Sequence, residues 1–211
     1  YINGEYLNID PIKAMFNDAW FPQAFHMTVA AFAATGFAVA GIHALMVLKK
    51  RNVSFHTKAF RISAGFAIIG ALLAPISGDI AAKSVAKRQP VKLAAMEAHF
   101  ETEKGASFVI GGIPDEENEQ IKYAIKVPKL LSFLAWGDFD AEVKGLKDFP
   151  KDHWPPVAVV HYAFQIMIFF GSIMMIIGLI YLIANFWKRE WLDKSWYLKI
   201  FVAAIPFGYI A

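Results

Sequence analysis

The chain contains no cysteine. This absence excludes Cys-ligated iron–sulfur clusters, covalent haem attachment through a CxxCH motif, a thiol nucleophile and a disulfide framework. Charged residues are also scarce, at 18% of the chain, and the net charge is only +3. The basic residues lie beside apolar runs and do not form a face with interleaved aromatic residues, so we expect no nucleic-acid partner. Histidine, methionine and carboxylate side chains remain as candidate metal ligands.

Apolar residues, by contrast, make up 57% of the chain and give a mean hydropathy of +0.41. These values are high for a soluble domain and indicate a membrane protein with several spans. Apolar runs predict transmembrane helices at 21–48, 62–80 and 157–186, because about 20 apolar residues cross the hydrocarbon core. A shorter run at 196–211 predicts part of a fourth span, and we expect the chain to be a piece cut from a longer polypeptide at both ends.

The connections between these runs predict which side of the membrane each one faces. Residues 49–61, KKRNVSFHTKAFR, carry five lysines and arginines and no acidic residue, and residues 187–195 also have more basic than acidic residues. Basic loops face the cytoplasm, so we expect 1–20 and 81–156 on the outer side. The predicted fold class is all-α: a polytopic transmembrane helical bundle with three full spans, one truncated span and a long extracytoplasmic loop at 81–156.

Histidines and methionines inside the predicted spans are candidate ligands, because polar side chains in a membrane are costly. His26 and Met167 both fall in the outer half of the bilayer, where they suit the two faces of one haem iron. Core packing of Met167 is the ordinary alternative. A bis-histidine pair also stays open, either of His26 with His161 or of His43 with a residue on a helix outside this chain. His43 lies about 260° around the helix from His26, so we interpret it as a polar contact, and His161 as an interfacial histidine.

The segment 89–102, QPVKLAAMEAHFET, mixes apolar and ionisable side chains over about three helical turns. Lys92 and Glu97 diverge by about 140° on an ideal helix, so they do not form a simple ion pair. A lysine donates hydrogen bonds and a carboxylate accepts a proton, which are the two roles that quinol oxidation requires. A solvated amphipathic helix is the ordinary alternative for this segment, and a solvated acidic turn is the simplest interpretation of 115–119.

Six motifs follow one another along the chain: FHMTVAAF at 25–32, GD at 78–79, QPVKLAAMEAHFET at 89–102, GIPD at 112–115, AFQIM at 163–167 and IPFGYIA at 205–211. In this order they resemble subunit I of the cytochrome bd quinol oxidases, and the resemblance covers nearly the whole chain. It implies that 81–156 is the quinol-binding Q-loop in its short form, with Lys92 and Glu97 in quinol oxidation. It also implies that His26 and Met167 are the axial ligands of a low-spin haem b.

The resemblance further implies a terminal oxidase that oxidises quinol, reduces oxygen to water and contributes to the proton gradient across a bacterial or archaeal cytoplasmic membrane. A high-spin haem b and a haem d are expected, with ligands outside this chain. Expected partners are ubiquinol or menaquinol, oxygen, oxidase subunit II and a candidate small accessory subunit. Gln165 stands where better-studied members have arginine, which leaves stabilisation of a haem propionate by this position open. Two alternatives remain: a haem b membrane anchor of a quinone-linked dehydrogenase, and a non-redox transporter fragment.

Overall fold

A computed structural model describes residues 10–192 and 194–211. Helices dominate this part of the chain, and they are α1 (Pro11–Met15), α2 (Trp20–Leu48), α3 (Val53–Arg88), α4 (Pro90–Met96), α5 (Leu130–Trp136), α6 (Val157–Phe186), α7 (Ser195–Ala203) and α8 (Phe207–Ile210). Short 3-10 turns occur at Leu146–Asp148, Lys151–His153 and Arg189–Trp191. The predicted helical bundle is confirmed. The expectation for 1–20 can be followed only from residue 10 onward, where α1 forms, because residues 1–9 lie outside the described residues.

Three helices, α2, α3 and α6, are long and apolar enough to cross a membrane. The bounds of α6 match the predicted range 157–186, and α2 begins one residue before the predicted 21–48. The helix α3 runs for 36 residues from Val53 to Arg88, so it extends beyond the predicted transmembrane range 62–80 at both ends. Charged side chains at both ends of α3 end the apolar stretch without ending the helix. The predicted connection 49–61 therefore shortens to the residues between α2 and α3.

Small residues bring α2 and α3 into close contact along their length. A Cβ atom added to Gly36 would lie 2.6 Å from the backbone nitrogen of Ala67, and one added to Gly70 would lie 2.7 Å from that of Ala33. Such close approach of two helix backbones requires glycine at both positions. α6 packs against α3 as well, and α7 packs against α2. The helix α3 is therefore the common neighbour of α2 and α6.

The apolar range 196–211 forms two short helices, α7 and α8, with Pro206 between them. Tyr197 and Phe201 of α7 are fully buried against Phe37 of α2 and Phe60 of α3. Phe60 and Phe201 meet edge to face, with ring centroids 4.9 Å apart. Aromatic packing of this kind fixes α7 against the long helices.

The loop region, residues 89–156, is folded and contains short strands that the all-α prediction did not include. The strands pair antiparallel as β1 (Glu103–Lys104) with β6 (Glu142–Val143), β2 (Phe108–Ile110) with β5 (Ile125–Val127), and β3 (Ile113–Asp115) with β4 (Gln120–Lys122). Two apolar clusters lie beneath them, one around Leu93 and Leu131 and the other around Phe100 and Leu146. The second cluster includes Val157, the first residue of α6, so the loop region packs directly on that helix.

Candidate functional site

The segment 89–102 is helical only as far as Met96, so the prediction of about three helical turns is wrong. The backbone N–H of Ala98 donates to the carbonyl of Ala95, and that of His99 donates to the carbonyl of Ala94, at 3.2 and 2.8 Å. This pair of hydrogen bonds is a Schellman motif, in which glycine is usual at the left-handed position. Ala98 occupies that position here, with φ of +46°, at a cost of about 1 kcal/mol.

Contacts beyond the turn explain why the helix stops there. The carbonyls of His99 and Phe100 accept hydrogen bonds from the backbone N–H groups of Leu146 and Lys147, at 2.9 and 3.0 Å. A Cβ atom on Gly145 would lie 2.3 Å from the carbonyl oxygen of Phe100, so the close approach of these two backbone segments requires glycine. These tertiary hydrogen bonds need the chain after Glu97 to be extended, and they outweigh local helix propensity.

Glu97 ends the helix and is only 1% exposed. The backbone N–H of Val109 donates to Glu97 Oε2 at 3.1 Å. Burial raises the pKa of Glu97 to about 8, although the Val109 hydrogen bond opposes the shift. The carboxyl group is therefore mostly protonated at pH 7 and exchanges its proton near neutral pH, as acid–base catalysis requires. The alternative of a solvated amphipathic helix is wrong for this residue.

The other ionisable residues of the segment are placed differently. Lys92 is exposed on α4, and within residues 10–192 and 194–211 no ion pair joins it to Glu97. His99 is 9% exposed, and burial lowers its pKa. Its Nε2 atom has no hydrogen-bond partner among the described residues. The buried acid–base groups of the segment are thus Glu97 and His99, with Lys92 at the surface.

His161 contacts the same turn from α6. It is fully buried beneath the loop region. Its Nδ1 lies 2.8 Å from the carbonyl oxygen of Met96 and its Nε2 lies 3.1 Å from that of Gly111. Each ring nitrogen thus faces a backbone carbonyl oxygen at close range, and this geometry leaves no room for iron at His161. It gives no support to the pairing of His26 with His161.

His26 on α2 has the tautomer that a metal ligand needs. Its Nδ1 lies 3.0 Å from Ser77 Oγ, and that hydroxyl donates to the carbonyl of Ala74 at 3.1 Å. Since the hydroxyl has one proton and uses it on Ala74, it accepts from the Nδ1–H of His26. Nε2 is then unprotonated, and its lone pair is available to a metal.

Met167 on α6 is partly buried. Gly171, one helical turn further on, has no atom within 4 Å of the position that a Cβ would take. The residues described here include no cluster of three or more His, Cys, Asp or Glu side chains suited to a metal ion. An imidazole with a free Nε2 on α2 and a thioether on α6 are ligand types that suit the axial ligation of haem.

Two further predictions concern residues away from this site. His43 Nδ1 lies 2.8 Å from His56 Nδ1, which confirms its interpretation as a polar contact. The acidic stretch 115–119 is not simply solvated, since Asp115 pairs with Lys122 at 2.6 Å. Glu119 contacts Lys151 at 2.7 Å and Lys147 at 3.3 Å, and Lys147 also pairs with Glu101.

Sequence reasoning missed three parts of the site: Ser77 behind His26, the Val109 backbone at Glu97, and the contacts that His161 and Gln165 make with the loop region. The four-residue spacing of His161 and Gln165 places both on one face of α6, and this spacing is a signal that could have been used. The backbone partner at Val109 has no signal in the sequence, because every residue type except proline supplies a backbone N–H group.

Known proteins resemble this chain in sequence. The sequence profile of the family described as cytochrome bd terminal oxidase subunit I matches residues 2–211. The chain is 36% identical over 213 residues to a putative cytochrome bd menaquinol oxidase subunit I of Bacillus subtilis, covering 99% of this chain and 48% of the relative. It is 33% identical to a cytochrome bd ubiquinol oxidase subunit 1 of the same organism, covering 88% of this chain and 42% of the relative.

A solved structure is also similar. The bd oxidase of Geobacillus thermodenitrificans superposes with a TM-score of 0.90 at 35% identity, covering 99% of this chain and 48% of that one. The chain spans about half the length of the curated relatives it matches. These similarities give no support to a non-redox transporter or to the membrane anchor of a dehydrogenase. The protein is an integral membrane protein, and the chain belongs to the cytochrome bd terminal oxidase subunit I family.

Proposed function

We propose that this chain is the part of a bd-type terminal oxidase at which quinol is oxidised and its electrons enter the protein. The observation that carries the proposal is the Glu97 carboxyl group, which is buried in the loop region and has a pKa near 8. Two relatives are named as menaquinol and ubiquinol oxidases, which supports a quinol as the reductant. The whole oxidase would use these electrons to reduce oxygen to water.

Quinol oxidation releases two electrons and two protons from the two hydroxyl groups of the head group. In the proposed site the ionised form of Glu97 accepts one proton as each electron leaves, and it passes the first proton to solvent before it accepts the second. Lys92, exposed on the same helix, donates a hydrogen bond to a quinol oxygen and so contributes to binding. Since Glu97 is mostly protonated at pH 7, it must first lose its own proton to solvent before each turnover.

His26 and Met167 are proposed to hold a low-spin haem b, which supplies one-electron redox chemistry when bound. Ser77 keeps the proton on Nδ1 of His26, so the lone pair of Nε2 would be free to bind the haem iron. A high-spin haem b and a haem d would be held by ligands outside this chain. Subunit II and any small accessory subunit would be further parts of the whole oxidase. The proposed chemistry of the chain itself is therefore limited to quinol binding, proton acceptance and haem ligation.

The loop region is proposed to face the outside of a bacterial or archaeal cytoplasmic membrane. Five lysines and arginines at 49–61 and the basic excess at 187–195 lie at the opposite ends of α2, α3 and α6, which supports this orientation. Protons that leave Glu97 would then be released outside, and quinol oxidation would contribute to the proton gradient.

The experiment that tests this function compares Glu97→Gln with Glu101→Gln in the assembled oxidase. Glutamine keeps the size and hydrogen bonding of Glu97 but accepts no proton, so quinol-driven oxygen uptake should fall by about 10²- to 10⁴-fold. Glu101 is an exposed glutamate of the same segment, and its variant should retain activity. Dithionite should still reduce the haems of both variants. Full quinol turnover in Glu97→Gln would contradict the proposal, and loss of the haem spectrum would indicate general damage.

Haem ligation is tested separately with Met167→Leu. Leucine preserves the volume of the side chain and removes the thioether, so we expect a high-spin spectrum or loss of the low-spin haem with little effect on folding. The matched control is Met174→Leu, because Met174 is a buried methionine of the same helix that packs in the bundle core. An unchanged low-spin spectrum in Met167→Leu would contradict the assignment of this ligand.

A further inference from the structure

Two polar side chains of α6, His161 and Gln165, lie one helical turn apart and both bind backbone groups of the loop region. His161 reaches the carbonyls of Met96 and Gly111, at 2.8 and 3.1 Å. Gln165 Nε2 donates to the carbonyl of Val109 at 2.9 Å, and its Oε1 accepts from the N–H of Gly111 at 3.1 Å. Four contacts from two residues therefore fasten α6 to the turn after α4 and to the end of β2.

Gln165 uses both functions of its amide in these contacts. The amide donates to one backbone group and accepts from another, so it pairs with the edge of β2 much as a peptide group would. Arginine has only donors and could not accept from the N–H of Gly111. Gln165 thus carries no positive charge, and its side chain binds the backbone of the loop region.

The same strand binds the Glu97 carboxyl group. Val109 is buried, its N–H donates to Glu97 Oε2 at 3.1 Å, and its carbonyl accepts from Gln165. Gln165 and Glu97 are thus bonded to the two polar groups of one residue. His161 holds the carbonyl of Met96, the residue immediately before Glu97. The carboxyl group is therefore fixed to α6 both through its own backbone and through its hydrogen-bond donor.

We propose that Gln165 and His161 are positioning residues of the quinol site, which hold the Glu97 carboxyl group at a fixed place relative to α6. The proposal rests on the proposed function, because the position of Glu97 affects turnover only if Glu97 accepts the quinol proton. Met167 lies two residues after Gln165 on the same helix. The helix α6 therefore positions two groups that would act on one quinol head group. These are Glu97, the proton acceptor, and the proposed haem at Met167, the electron acceptor.

The geometry matters because proton and electron transfer start from the same molecule. A displacement of a reacting group by about 1 Å can lower a rate by about 10²-fold. Without Gln165 the end of β2 loses two hydrogen bonds to α6, and the donor to Glu97 Oε2 is no longer held. The carboxyl group would then occupy several positions, and the fraction of productive encounters would fall, while a quinol could still bind.

The test uses Gln165→Leu in the assembled oxidase, with Ser132→Ala as the matched control. Ser132 is a buried side chain that also bridges two backbone segments of the loop region, bonding the N–H of Ala106 and the carbonyl of Ala141 at 2.7 and 2.8 Å. Its removal costs the loop region a comparable pair of hydrogen bonds. A general effect of loosening the loop region should therefore show in both variants.

Two readouts separate positioning from general stability. In Gln165→Leu, kcat with quinol should fall by about 10²-fold, while KM changes less than threefold and the haem spectrum is retained. In infrared difference spectra the carboxylic C=O band that is absent from Glu97→Gln should shift and broaden in Gln165→Leu. Ser132→Ala should leave this band and kcat unchanged. His161→Gln, which can still donate to one carbonyl, should retain more activity than His161→Phe.

An unchanged C=O band and unchanged kcat in Gln165→Leu, with Glu97→Gln inactive, would overturn the positioning role and leave the proposed function intact. An equal loss of kcat in Gln165→Leu and Ser132→Ala, with no change in the band, would also overturn it, since both residues would then act only on the stability of the loop region. Full turnover in Glu97→Gln would instead overturn the proposed function itself.

Discussion

The loop region holds carboxyl groups in two opposite environments. Glu97 lies in the inner turn against α6, without an ion-pair partner among the described residues, and its pKa is raised to about 8 by burial. Asp115 and Glu119 lie on the outer surface, where lysine partners hold their pKa values below the usual range: Lys122 for Asp115, and Lys151 followed by Lys147 for Glu119. Carboxylates at the surface remain ionised, whereas only the buried group exchanges its proton near neutral pH.

This difference distinguishes a catalytic carboxyl group from a structural one. A permanently ionised carboxylate that is bonded to lysine is a weak base and does not cycle between two protonation states at neutral pH. Glu97 has a backbone N–H as its partner, which favours the ionised form without supplying a charge. The site therefore retains a carboxyl group that is neutral at rest and still basic enough to accept a proton when ionised.

Among variants that keep a carboxyl group, the largest effect is expected when the inner carboxyl group is moved. Glu97→Asp keeps the carboxyl group but withdraws it by one methylene from Val109, so quinol turnover should fall by about 10²-fold. Glu119→Asp makes the same change on the outer surface and should leave turnover unchanged. Oxygen-uptake rates at saturating quinol measure both. Equal losses in the two variants would remove the distinction between the inner turn and the outer surface.

A second prediction concerns stability and follows from the raised pKa. Between pH 4.5, the unperturbed value, and about pH 8 the unfolded chain releases the Glu97 proton while the folded chain keeps it. The free energy of unfolding therefore decreases as pH rises across this window. Glu97→Gln removes the penalty and should stabilise the fold by about 3 kcal/mol at pH 7.

Thermal unfolding of the purified oxidase, followed at pH 5 and at pH 7, checks this prediction. The melting temperature of the Glu97→Gln variant should exceed that of the native protein at pH 7, and the difference should be smaller at pH 5. A variant that is less stable at pH 7 would mean that the native carboxyl group is ionised and well solvated. Glu101→Gln serves as the control, since that side chain is exposed.

The smallest effect is expected on the outer surface. Glu119→Gln weakens the contacts with Lys147 and Lys151, but pairs of this kind at a surface contribute little to stability. Quinol turnover and its pH dependence should match those of the native protein, and raising the salt concentration should produce no further change. A large loss of turnover in Glu119→Gln would show that the outer ion pairs also control the quinol site.

Much of the bundle follows from the sequence, because apolar run length determines where a helix can cross a bilayer. The run at 157–186 predicts α6 with its observed bounds. The helix α3 extends beyond the predicted range at both ends, because Arg61 and Lys83 lie beyond the apolar stretch but remain in the helix. Charged residues mark where the apolar part of a helix ends. They do not indicate where the backbone hydrogen bonds of the helix end.

The site was less predictable than the fold. Residue chemistry and position, together with the motif resemblance, predict Lys92, Glu97, His26 and Met167 as candidate residues, but the burial of Glu97 has no signal in the sequence. It depends on a Schellman turn with alanine at its left-handed position and on hydrogen bonds to residues 47 positions further along the chain. The complete burial of His161 beneath the folded loop region likewise has no signal in the sequence. Long-range packing of this kind leaves no local pattern.

The pH dependence of quinol-driven haem reduction is the most direct test of the central claim that Glu97 accepts the quinol proton. Because the ionised form is the acceptor and the pKa is about 8, the stopped-flow rate should rise about fivefold between pH 7 and pH 8 and level off above that. The Glu97→Gln variant should be slow and should lack this rise. A native rate that is independent of pH from 6 to 9, or a rise that persists in Glu97→Gln, would contradict the claim.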